Sequence, residues 1–404
     1  MTGALEGIRI FDMSRVLAGP SCTQLLGDLG AEVLKIERPG EGDDTRKWGP
    51  PFLKDVAGNE TAESAYYLSA NRAKRSLTLD FTKPEGRALA LRLIAQCDVL
   101  VENYKVGTLA KYSLGYEALH AAFPRLIYCS ITGFGQTGPY APRPGYDYLA
   151  QAMGGLMSLQ GEPDGEPMKG AVAFADLMAG MYSVVAILAA LRHRDLTGQG
   201  QQIDMALLDT EIAWLGNQAQ AYLTSGRIPR RLGNAHSSVV PYQVFASADG
   251  HIVLAVGNDG QFGKFCACAG VPELAADPRF ATNAARVVNR AELVPRIAAL
   301  IAAQPSDYWI ALLEREGVPS SPINRLDQVF ADPQVRAREM VVSMDHPAVP
   351  DPITLLANPI KYSETPVEYR LPPPTLGQHT EEILRQFLSL SESEIAGLRA
   401  RGVV

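Results

Sequence analysis

The chain has 404 residues, of which 47% are apolar and 20% charged, a composition typical of a globular protein with more than one domain. Its formal net charge of −7 argues against a nucleic-acid or anionic-membrane partner, although a local basic patch for a small phosphorylated ligand is compatible with it. The five cysteines form no metal-ligand pattern, so we expect free thiols in a reducing cytoplasm and no metal site. Residues 1–15 lack a basic segment followed by an apolar run, so no secretory signal is expected.

The first part of the chain alternates strand and helix patterns. Strands are predicted over GIRIFDMS, AEVLKIERPG, KRSLTLDF, DVLVENY and RLIYCSITGFG. Helices are predicted over KPEGRALALRLIAQC and over PSCTQLLGDLG, which Pro20 and Ser21 open and Gly30 closes. The alternation predicts an α/β fold, with a Rossmann-like, mostly parallel sheet and helices on both faces.

Such a sheet binds ligands beyond the carboxyl ends of its strands, which makes Arg38, Asn103 and residues 133–138 candidates by position. Residues 133–138, GFGQTG, match the letters of a dinucleotide fingerprint. That fingerprint must open a helix, and the prolines that follow at 139, 142 and 144 prevent one. We therefore predict a glycine-rich loop that lets backbone approach a ligand. No G-x-S-x-G motif and no metal-ligand spacing of histidines occurs in the sequence.

Residues 171–191, AVAFADLMAGMYSVVAILAAL, form an apolar stretch with one charged residue, Asp176. The stretch is long enough to span a membrane, but the flanking sequence RHRDLTGQGQQIDMALLD favours a buried core helix. Asp176 lies near the positive end of this helix, and Gly180 leaves room one turn later for another group. Because burying a carboxylate is costly, Asp176 is either a structural acid, stabilised by the helix dipole or paired with an arginine, or a nucleophile that attacks a thioester.

The pattern changes after about residue 225. PYQVFASADGHIVLAVGN predicts a hairpin that turns at Asp249–Gly250, and QFGKFCACAG, RAELVPRIAALIAAQ and SDYWIALLEREG predict helices. Proline-rich segments then predict an extended chain that ends in the helical EEILRQFLSLSESEIAGLRARG. We therefore predict a large domain over 1–220, completed by 330–404, and a smaller α+β domain over 221–329.

Taken together and in this order, several segments closely resemble the family III CoA-transferases of the CaiB/BaiF type. The resemblance covers essentially the whole chain, and it implies an interlocked homodimer that uses coenzyme A as a cosubstrate and needs no metal or redox cofactor. Its segments are LEGIRIFDMSRVLAGPSCTQLLGDLGAEVLKIERPGEGDDTRKWGPPF, DVLVENYKVGTLAKYSLGY, LIYCSITGFGQTGPYAPRPGYDYLAQAMGGLM, VAFADLMAGMYSVVAILAAL, GNAHSSVVPYQVF and the terminal LGQHTEEIL and GLRARGVV.

The resemblance also implies roles for individual residues. Asp176 takes the position of the catalytic aspartate. Leu17 stands where other members have a glutamine, so that side-chain amide is missing, although the Ala18 N–H is still available. Lys111 stands where an arginine is often found, so it keeps the charge but not a bidentate fork. The positions that match contacts to CoA are Arg38, Leu79, Asp80, Phe81, Thr82, Asn103, Tyr104, Lys105, Lys111, Arg143, Gly145 and Tyr146.

SRVLAGP, GDDTRKWGPPF, YCSITGFGQTGP, GNAHSSVVPYQ and VFADPQV resemble the branch of the family that exchanges CoA between dicarboxylic acids. This implies succinyl-CoA or a similar donor and glutarate or hydroxymethylglutarate as acceptor, with itaconate, malate, mesaconate and oxalate as alternatives. Arg15 is the candidate cation for the distal carboxylate of the dicarboxylate substrate. The alternative is that Arg15 pairs with a structural acid. The loop over residues 233–241 is a candidate lid, in which His236 and Ser237 bind substrate or His236 is structural.

Two other functions stay open. The family includes α-methylacyl-CoA racemases, whose proton transfer uses a histidine where this chain has Tyr146, before Asp147. Tyrosine has an unperturbed pKa of about 10 and is a poor general base at neutral pH, which argues against a racemase. A CoA-binding protein without turnover is the third hypothesis, and the presence of Asp176 argues against it.

Overall fold

The computed structural model of the chain describes residues 3–404 and confirms the α/β class. In chain order the strands are β1 (Arg9–Asp12), β2 (Glu32–Glu37), β3 (Phe52–Lys54), β4 (Glu60–Ser64), β5 (Lys74–Thr78), β6 (Val99–Glu102), β7 (Ile127–Thr132), β8 (Gln202–Ala206), β9 (Tyr242–Ala246), β10 (His251–Ala255), β11 (Ser320–Pro322), β12 (Val341–Met344) and β13 (Ile353–Leu356). The helices are α1 (Ala18–Asp28), α2 (Ala65–Ser69), α3 (Pro84–Ile94), α4 (Tyr116–Ala122), α5 (Asp147–Met153), α6 (Leu156–Leu159), α7 (Phe174–Thr197), α8 (Leu207–Trp214), α9 (Gly216–Ser225), α10 (Asp259–Cys268), α11 (Pro272–Ala276), α12 (Asn283–Val288), α13 (Arg290–Ala302), α14 (Ser306–Glu316), α15 (Leu326–Ala331), α16 (Pro333–Ala337), α17 (Thr380–Leu388) and α18 (Glu392–Ala400).

A parallel sheet with the strand order β5-β2-β1-β6-β7-β8 forms the centre of the first compact unit. Numbered within this sheet alone, the order is 3-2-1-4-5-6, which is the order of dinucleotide-binding folds. The predicted Rossmann-like sheet is therefore confirmed. The winding reverses between β1 and β6, so a ligand crevice is expected beyond Asp12 and Glu102, where these two strands end.

Alternate residues of the strands supply two apolar layers, one on each face of the sheet. Phe11 and Leu34 belong to the layer that α3, α17 and α18 cover. Ile10, Val33 and Val99 belong to the opposite layer, which α1 and α7 cover. The apolar helix predicted over residues 171–191 is thus a core helix of this second layer.

Helix α1 begins at Ala18, two residues before the predicted start at Pro20. The prediction was wrong because Pro20 occupies the third position of the first turn, where its missing N–H costs nothing. Helix α7 begins at Phe174, and Asp176 lies in its first turn, as predicted.

Gly180 allows α7 to approach α1 closely. A Cβ atom at this position would lie 2.7 Å from the carbonyl oxygen of Ala18 and 3.4 Å from Cβ of Ser21. The first distance is shorter than real Cβ contacts, and its partner is backbone that cannot move aside. The absence of a side chain at Gly180 therefore brings the second turn of α7 against the first turn of α1.

The second compact unit comprises Met157–Met168 and Thr224–Val335, and the first comprises the chain up to Leu156, Lys169–Leu223 and Arg336–Val404. In the second unit β9 and β10 form the predicted hairpin, in which Ala246 pairs with His251 across the turn at residues 247–250. Strand β11 pairs with the other edge of β10, and α10–α14 enclose an apolar core. The predicted domain scheme contains no equivalent of the 157–168 segment, and its boundaries stay a prediction.

Among the described residues, α7 is the helix whose length and hydropathy would allow it to cross a membrane. One of its sides is buried in the second apolar layer, through residues such as Ala179 and Ile187. The other side exposes Met181, Tyr182 and Val185. Core helices satisfy the same criteria, so length and hydropathy do not distinguish a helix in a protein core from a helix in a membrane.

We expect Gly180→Ala to lower the free energy of unfolding by roughly 1–3 kcal/mol, because the new Cβ forces α7 away from the Ala18 carbonyl. Thermal or urea unfolding measures the loss. Gly263→Ala in α10 is the matched control, since a Cβ there meets nothing within 4 Å. This control should be neutral or slightly stabilising, because alanine favours helices over glycine. Equal stability of the two variants would contradict the inferred close approach.

Candidate active site

The crevice expected between β1 and β6 contains a cavity of about 240 Å³. Its wall combines the start of α1, the segments that follow β6 and β7, and the first turn of α7. The strand order therefore gathers residues that are far apart in sequence. The predicted site residues that line this cavity are Arg15, Leu17, Ala18, Asn103, Tyr104, Lys105, Arg143, Gly145, Tyr146 and Asp176.

A second cavity, of about 300 Å³, lies beyond the carboxyl ends of β2 and β5. It shares Arg15, Asp44 and Tyr104 with the first cavity, so the two adjoin and suit an extended ligand. The other predicted site residues that line it are Arg38, Leu79, Asp80, Phe81 and Thr82.

Asp176 is a partly buried carboxyl group whose acidity the site suppresses. Burial and, second to it, the negative charge of Asp147 raise the pKa of Asp176 to about 7. Within residues 3–404, neither a lysine nor an arginine forms an ion pair with this carboxylate. This geometry contradicts the arginine-paired form of the structural alternative, and the catalytic role of Asp176 stays a prediction.

Asp147 caps the start of α7. Its Oδ1 accepts hydrogen bonds from the N–H groups of Ala175, at 2.8 Å, and of Asp176, at 3.3 Å. Its Oδ2 accepts one from the buried Nε2 of Gln151, at 2.8 Å. Asp147 therefore occupies N–H groups of the first turn of α7, and its charge raises the pKa of Asp176. In the sequence, Asp147 was named only in the comparison with racemases, and its capping role was not predicted.

The start of α1 presents open backbone donors to the same cavity. Ala18 is the first residue of the helix, so its N–H has no carbonyl partner within the helix. Leu17, the N-cap residue, makes no side-chain hydrogen bond to the helix. The positive end of the helix dipole therefore faces the cavity with its N–H groups available for an anion.

Arg15 has contacts that fit both of its predicted roles. One guanidinium nitrogen lies 3.0 Å from Oδ2 of Asp44, and the guanidinium stacks over the Tyr104 ring at 5.1 Å. Both charged side chains are about half exposed, so this ion pair is weak. The Nε of Arg15 is buried and has no hydrogen-bond partner among the described residues. The role of Arg15 in substrate binding stays a prediction.

The remaining basic residues lie around the cavities with different contacts. Arg38 is exposed and pairs with Glu41 at 3.1 Å. Arg143 stacks on the Tyr140 ring at 4.6 Å. Lys111 is exposed and does not line either cavity. It lies on a single helical turn whose last residue, Tyr112, lines the second cavity. Their predicted contacts to CoA stay predictions.

His236 and Ser237 belong to the second unit, whereas both cavities are lined by residues of the first. Nδ1 of His236 accepts a hydrogen bond from the Ser238 N–H at 3.0 Å, so in the neutral ring the proton is on Nε2. Arg290 donates to the carbonyl oxygens of His236 and Ser237, at 3.2 and 2.8 Å. The loop is thus held in a defined conformation, and its role towards substrate stays a prediction.

A layer of buried charges, which was not predicted from the sequence, lies next to the site. Lys35 and Asp43 form an ion pair of 2.9 Å in which both side chains are fully buried, and Lys74 lies 3.3 Å from Asp12. A lysine inside the predicted strand AEVLKIERPG was the available signal, because alternate residues of a buried strand face the core.

The chain is similar to known proteins over nearly its whole length. The model of CoA-transferase family III matches residues 5–380. A succinate–glutarate CoA-transferase of Agrobacterium fabrum is 49% identical over 392 residues, covering 96% of this chain and 97% of the relative. A succinyl-CoA:glutarate CoA-transferase of Mus musculus is 45% identical over 400 residues, covering 99% and 90%. A CaiB/BaiF family protein from Brucella suis, known from a crystal structure, has a TM-score of 0.85 and 49% identity, with 96% of this chain and 100% of that chain covered. The chain therefore belongs to CoA-transferase family III.

Proposed function

We propose that this protein transfers CoA from succinyl-CoA, or a similar acyl-CoA, to glutarate or hydroxymethylglutarate, with Asp176 as the covalent nucleophile. The observation that carries the proposal is a partly buried carboxylate, without an ion-pair partner in the described part of the chain, in one cavity with the open N–H of Ala18. The names of relatives that are 45% and 49% identical support succinyl-CoA and glutarate as the substrates. Itaconate, malate, mesaconate and oxalate are the alternative acceptors.

In this proposal the acyl-CoA extends across the two adjoining cavities. Its nucleotide contacts Arg38 and residues 79–82, and its pantetheine arm passes residues 103–105 and 143–146 towards Asp176. The shared wall of the two cavities supports this path, because Arg15 and Tyr104 line both of them.

In the first half-reaction, the CoA thioester of the donor acid is replaced by a CoA thioester of Asp176. An Asp176 oxygen attacks the acyl carbonyl carbon, the C–S bond breaks, and CoA leaves as a thiolate. A mixed anhydride of the donor acid and Asp176 remains. The thiolate then attacks the carbonyl carbon of Asp176, and the donor acid leaves as a carboxylate with one oxygen from Asp176. An aspartyl-CoA thioester remains.

The second half-reaction reverses these steps with the acceptor. A carboxylate oxygen of the acceptor attacks the aspartyl thioester and releases CoA thiolate, which then attacks the acyl carbon of the acceptor. Asp176 leaves as a carboxylate and retains one acceptor oxygen. Each step passes through an oxyanion, for which the N–H of Ala18 and the positive end of α1 are the proposed donors.

We further infer that the protein acts as a homodimer in a reducing cytoplasm. The apolar face of α7 that exposes Met181, Tyr182 and Val185 supports burial against a second copy. The five cysteines are all free thiols, which fits a reducing compartment.

We expect Asp176→Ala to lower transfer from succinyl-CoA to glutarate by on the order of 10³-fold or more, because the nucleophile is lost. Binding of CoA should persist. Asp195→Ala, at the exposed end of the same helix, is the matched control and should retain activity. With ¹⁸O-glutarate, mass spectrometry should find the label in the Asp176 peptide of the native enzyme. Turnover by Asp176→Ala, or α-hydrogen exchange of a 2-methylacyl-CoA without transfer, would exclude the proposal.

We expect Arg15→Ala to raise KM for glutarate by about tenfold or more, because a charged hydrogen bond to the distal carboxylate is lost. KM for a monocarboxylate such as butyrate should change much less. Asp44→Ala separates the two roles of Arg15, since it removes the ion-pair partner and leaves the guanidinium. If both variants raise KM for glutarate equally, Arg15 acts only through its pair with Asp44.

We expect kcat/KM for succinyl-CoA to rise with pH and to be half-maximal near pH 7, because only ionised Asp176 attacks. Asp147→Asn should move this midpoint to lower pH, since it removes the negative charge that raises the pKa of Asp176. A pH–rate profile of both proteins measures the shift. An unchanged midpoint in Asp147→Asn would show that Asp147 does not influence the reacting carboxylate.

A further inference from the structure

The loop between β1 and α1, residues 13–17, contains a strained backbone conformation. Val16 has a φ of 70°, in the left-handed region that β-branched residues avoid. Such a conformation persists only where the surroundings hold it in place. Val16 directly precedes Leu17 and Ala18, and all three residues line the cavity of Asp176.

Two side chains hold the backbone at this point. The N–H of Val16 donates to the carboxylate of Asp43, with 3.2 and 3.3 Å to its two oxygens. Asn103 clamps the preceding residue: its Oδ1 accepts from the Arg15 N–H at 2.9 Å, and its Nδ2 donates to the Arg15 carbonyl at 2.7 Å. The peptide units on both sides of Arg15 are thus fixed by side chains from the segments that follow β6 and β2.

The Asp43 carboxylate is itself rigidly held and charged. It accepts hydrogen bonds from Nζ of Lys35 at 2.9 Å, from the Thr45 N–H at 3.0 Å and from the Thr45 hydroxyl at 2.7 Å. Burial alone would raise the pKa of Asp43, but Lys35 and the hydrogen bonds of Thr45 outweigh it and hold the pKa at about 2. Lys35 also donates to the carbonyl of Ser14 at 3.2 Å, so the same ion pair fixes the loop at a second point.

The reaction requires accurate placement of this loop. Ala18 supplies the open N–H, and its carbonyl oxygen is packed so tightly against Gly180 that no Cβ fits between them. If Val16 relaxed to a negative φ, the peptide units of Leu17 and Ala18 would turn away from their present direction. A misplacement of about 1 Å at a reacting centre can cost on the order of 10²-fold in rate.

We propose that Asp43 is a positioning residue for CoA transfer: its buried carboxylate, paired with Lys35, keeps Val16 in the left-handed conformation that aims the N-terminal N–H groups of α1 at the Asp176 cavity. The inference rests on the proposed function, because it assumes that these N–H groups stabilise the oxyanions formed at Asp176. It adds a residue that lies in the wall of the second cavity and acts on the reaction through the backbone of Val16.

The test is a double-mutant cycle of Asp43→Asn and Val16→Gly. Asp43→Asn should lower kcat by on the order of 10²-fold and change KM for succinyl-CoA by less than about threefold. Glycine adopts a positive φ without strain, so Val16→Gly makes the loop less dependent on Asp43. In the Val16→Gly background, Asp43→Asn should therefore cost at least about tenfold less in kcat than in the native background.

Asp28→Asn is the matched control, because Asp28 ends α1 and forms a buried ion pair with Arg72, away from the cavity. It should lower the melting temperature but leave kcat within about threefold of native. If Asp43→Asn does not fold, Asp43→Glu gives the same comparison, since it keeps the charge but displaces the carboxylate.

The outcomes separate the two proposals. If the native enzyme never carries an acyl or CoA adduct on Asp176, the proposed function fails whatever Asp43 does. If the adduct forms and Asp43→Asn forms it at the native rate, only the positioning role is overturned. An equal loss of kcat from Asp43→Asn in both backgrounds would also overturn it, because Asp43 would then act by a route other than Val16.

Discussion

The site depends on one carboxylate that is partly buried and that has no countercharge among residues 3–404. Ionised Asp176 is unfavourable in this environment, and burial together with the charge of Asp147 raises its pKa to about 7. The fold offsets this cost by packing α7 into a continuous apolar layer against α1 and the sheet. Gly180 makes that packing possible one turn after the carboxylate, because it lets the second turn of α7 approach the first turn of α1. Reactivity and helix packing are therefore linked through the same two turns of α7.

The parallel sheet explains why buried charges accompany this site. The loops that bind ligands leave the carboxyl ends of buried strands, so polar groups that hold these loops must lie within the core. Lys35 and Asp43 meet this need as a fully buried pair whose mutual attraction and hydrogen bonds compensate for desolvation. Glu37 extends the layer, since its carboxylate accepts from the Asp43 N–H at 3.0 Å and from Arg46 at 2.8 Å. The polar layer thus fixes the loop conformation that the apolar layers cannot specify.

The sequence predicted the parallel sheet, the apolar helix and the place of Asp176 in its first turn, because these features follow from local periodicity and capping. It did not predict the left-handed Val16 or its hydrogen bond to Asp43, since a valine carries no local signal for a positive φ. The role of Asp147 was also missed, because its partners lie 28 and 29 residues further along the chain. Contacts between segments that are distant in sequence were therefore not predictable from the sequence. The start of α1 was predicted wrongly because proline fits within a first turn.

The raised pKa of Asp176 has opposite consequences in the two halves of the proposed reaction. In the first mixed anhydride, thiolate attack on the aspartyl carbon expels the donor acid. The donor acid is a better leaving group than a carboxylate of raised pKa such as Asp176. In the second anhydride Asp176 must itself leave, and the same property slows that step. Hydrogen bonds to the departing carboxylate lower this barrier, and the open N–H of Ala18 is suited to provide one. The conformation of the loop at Val16 thus matters most when Asp176 is released, because the raised pKa disfavours that step most.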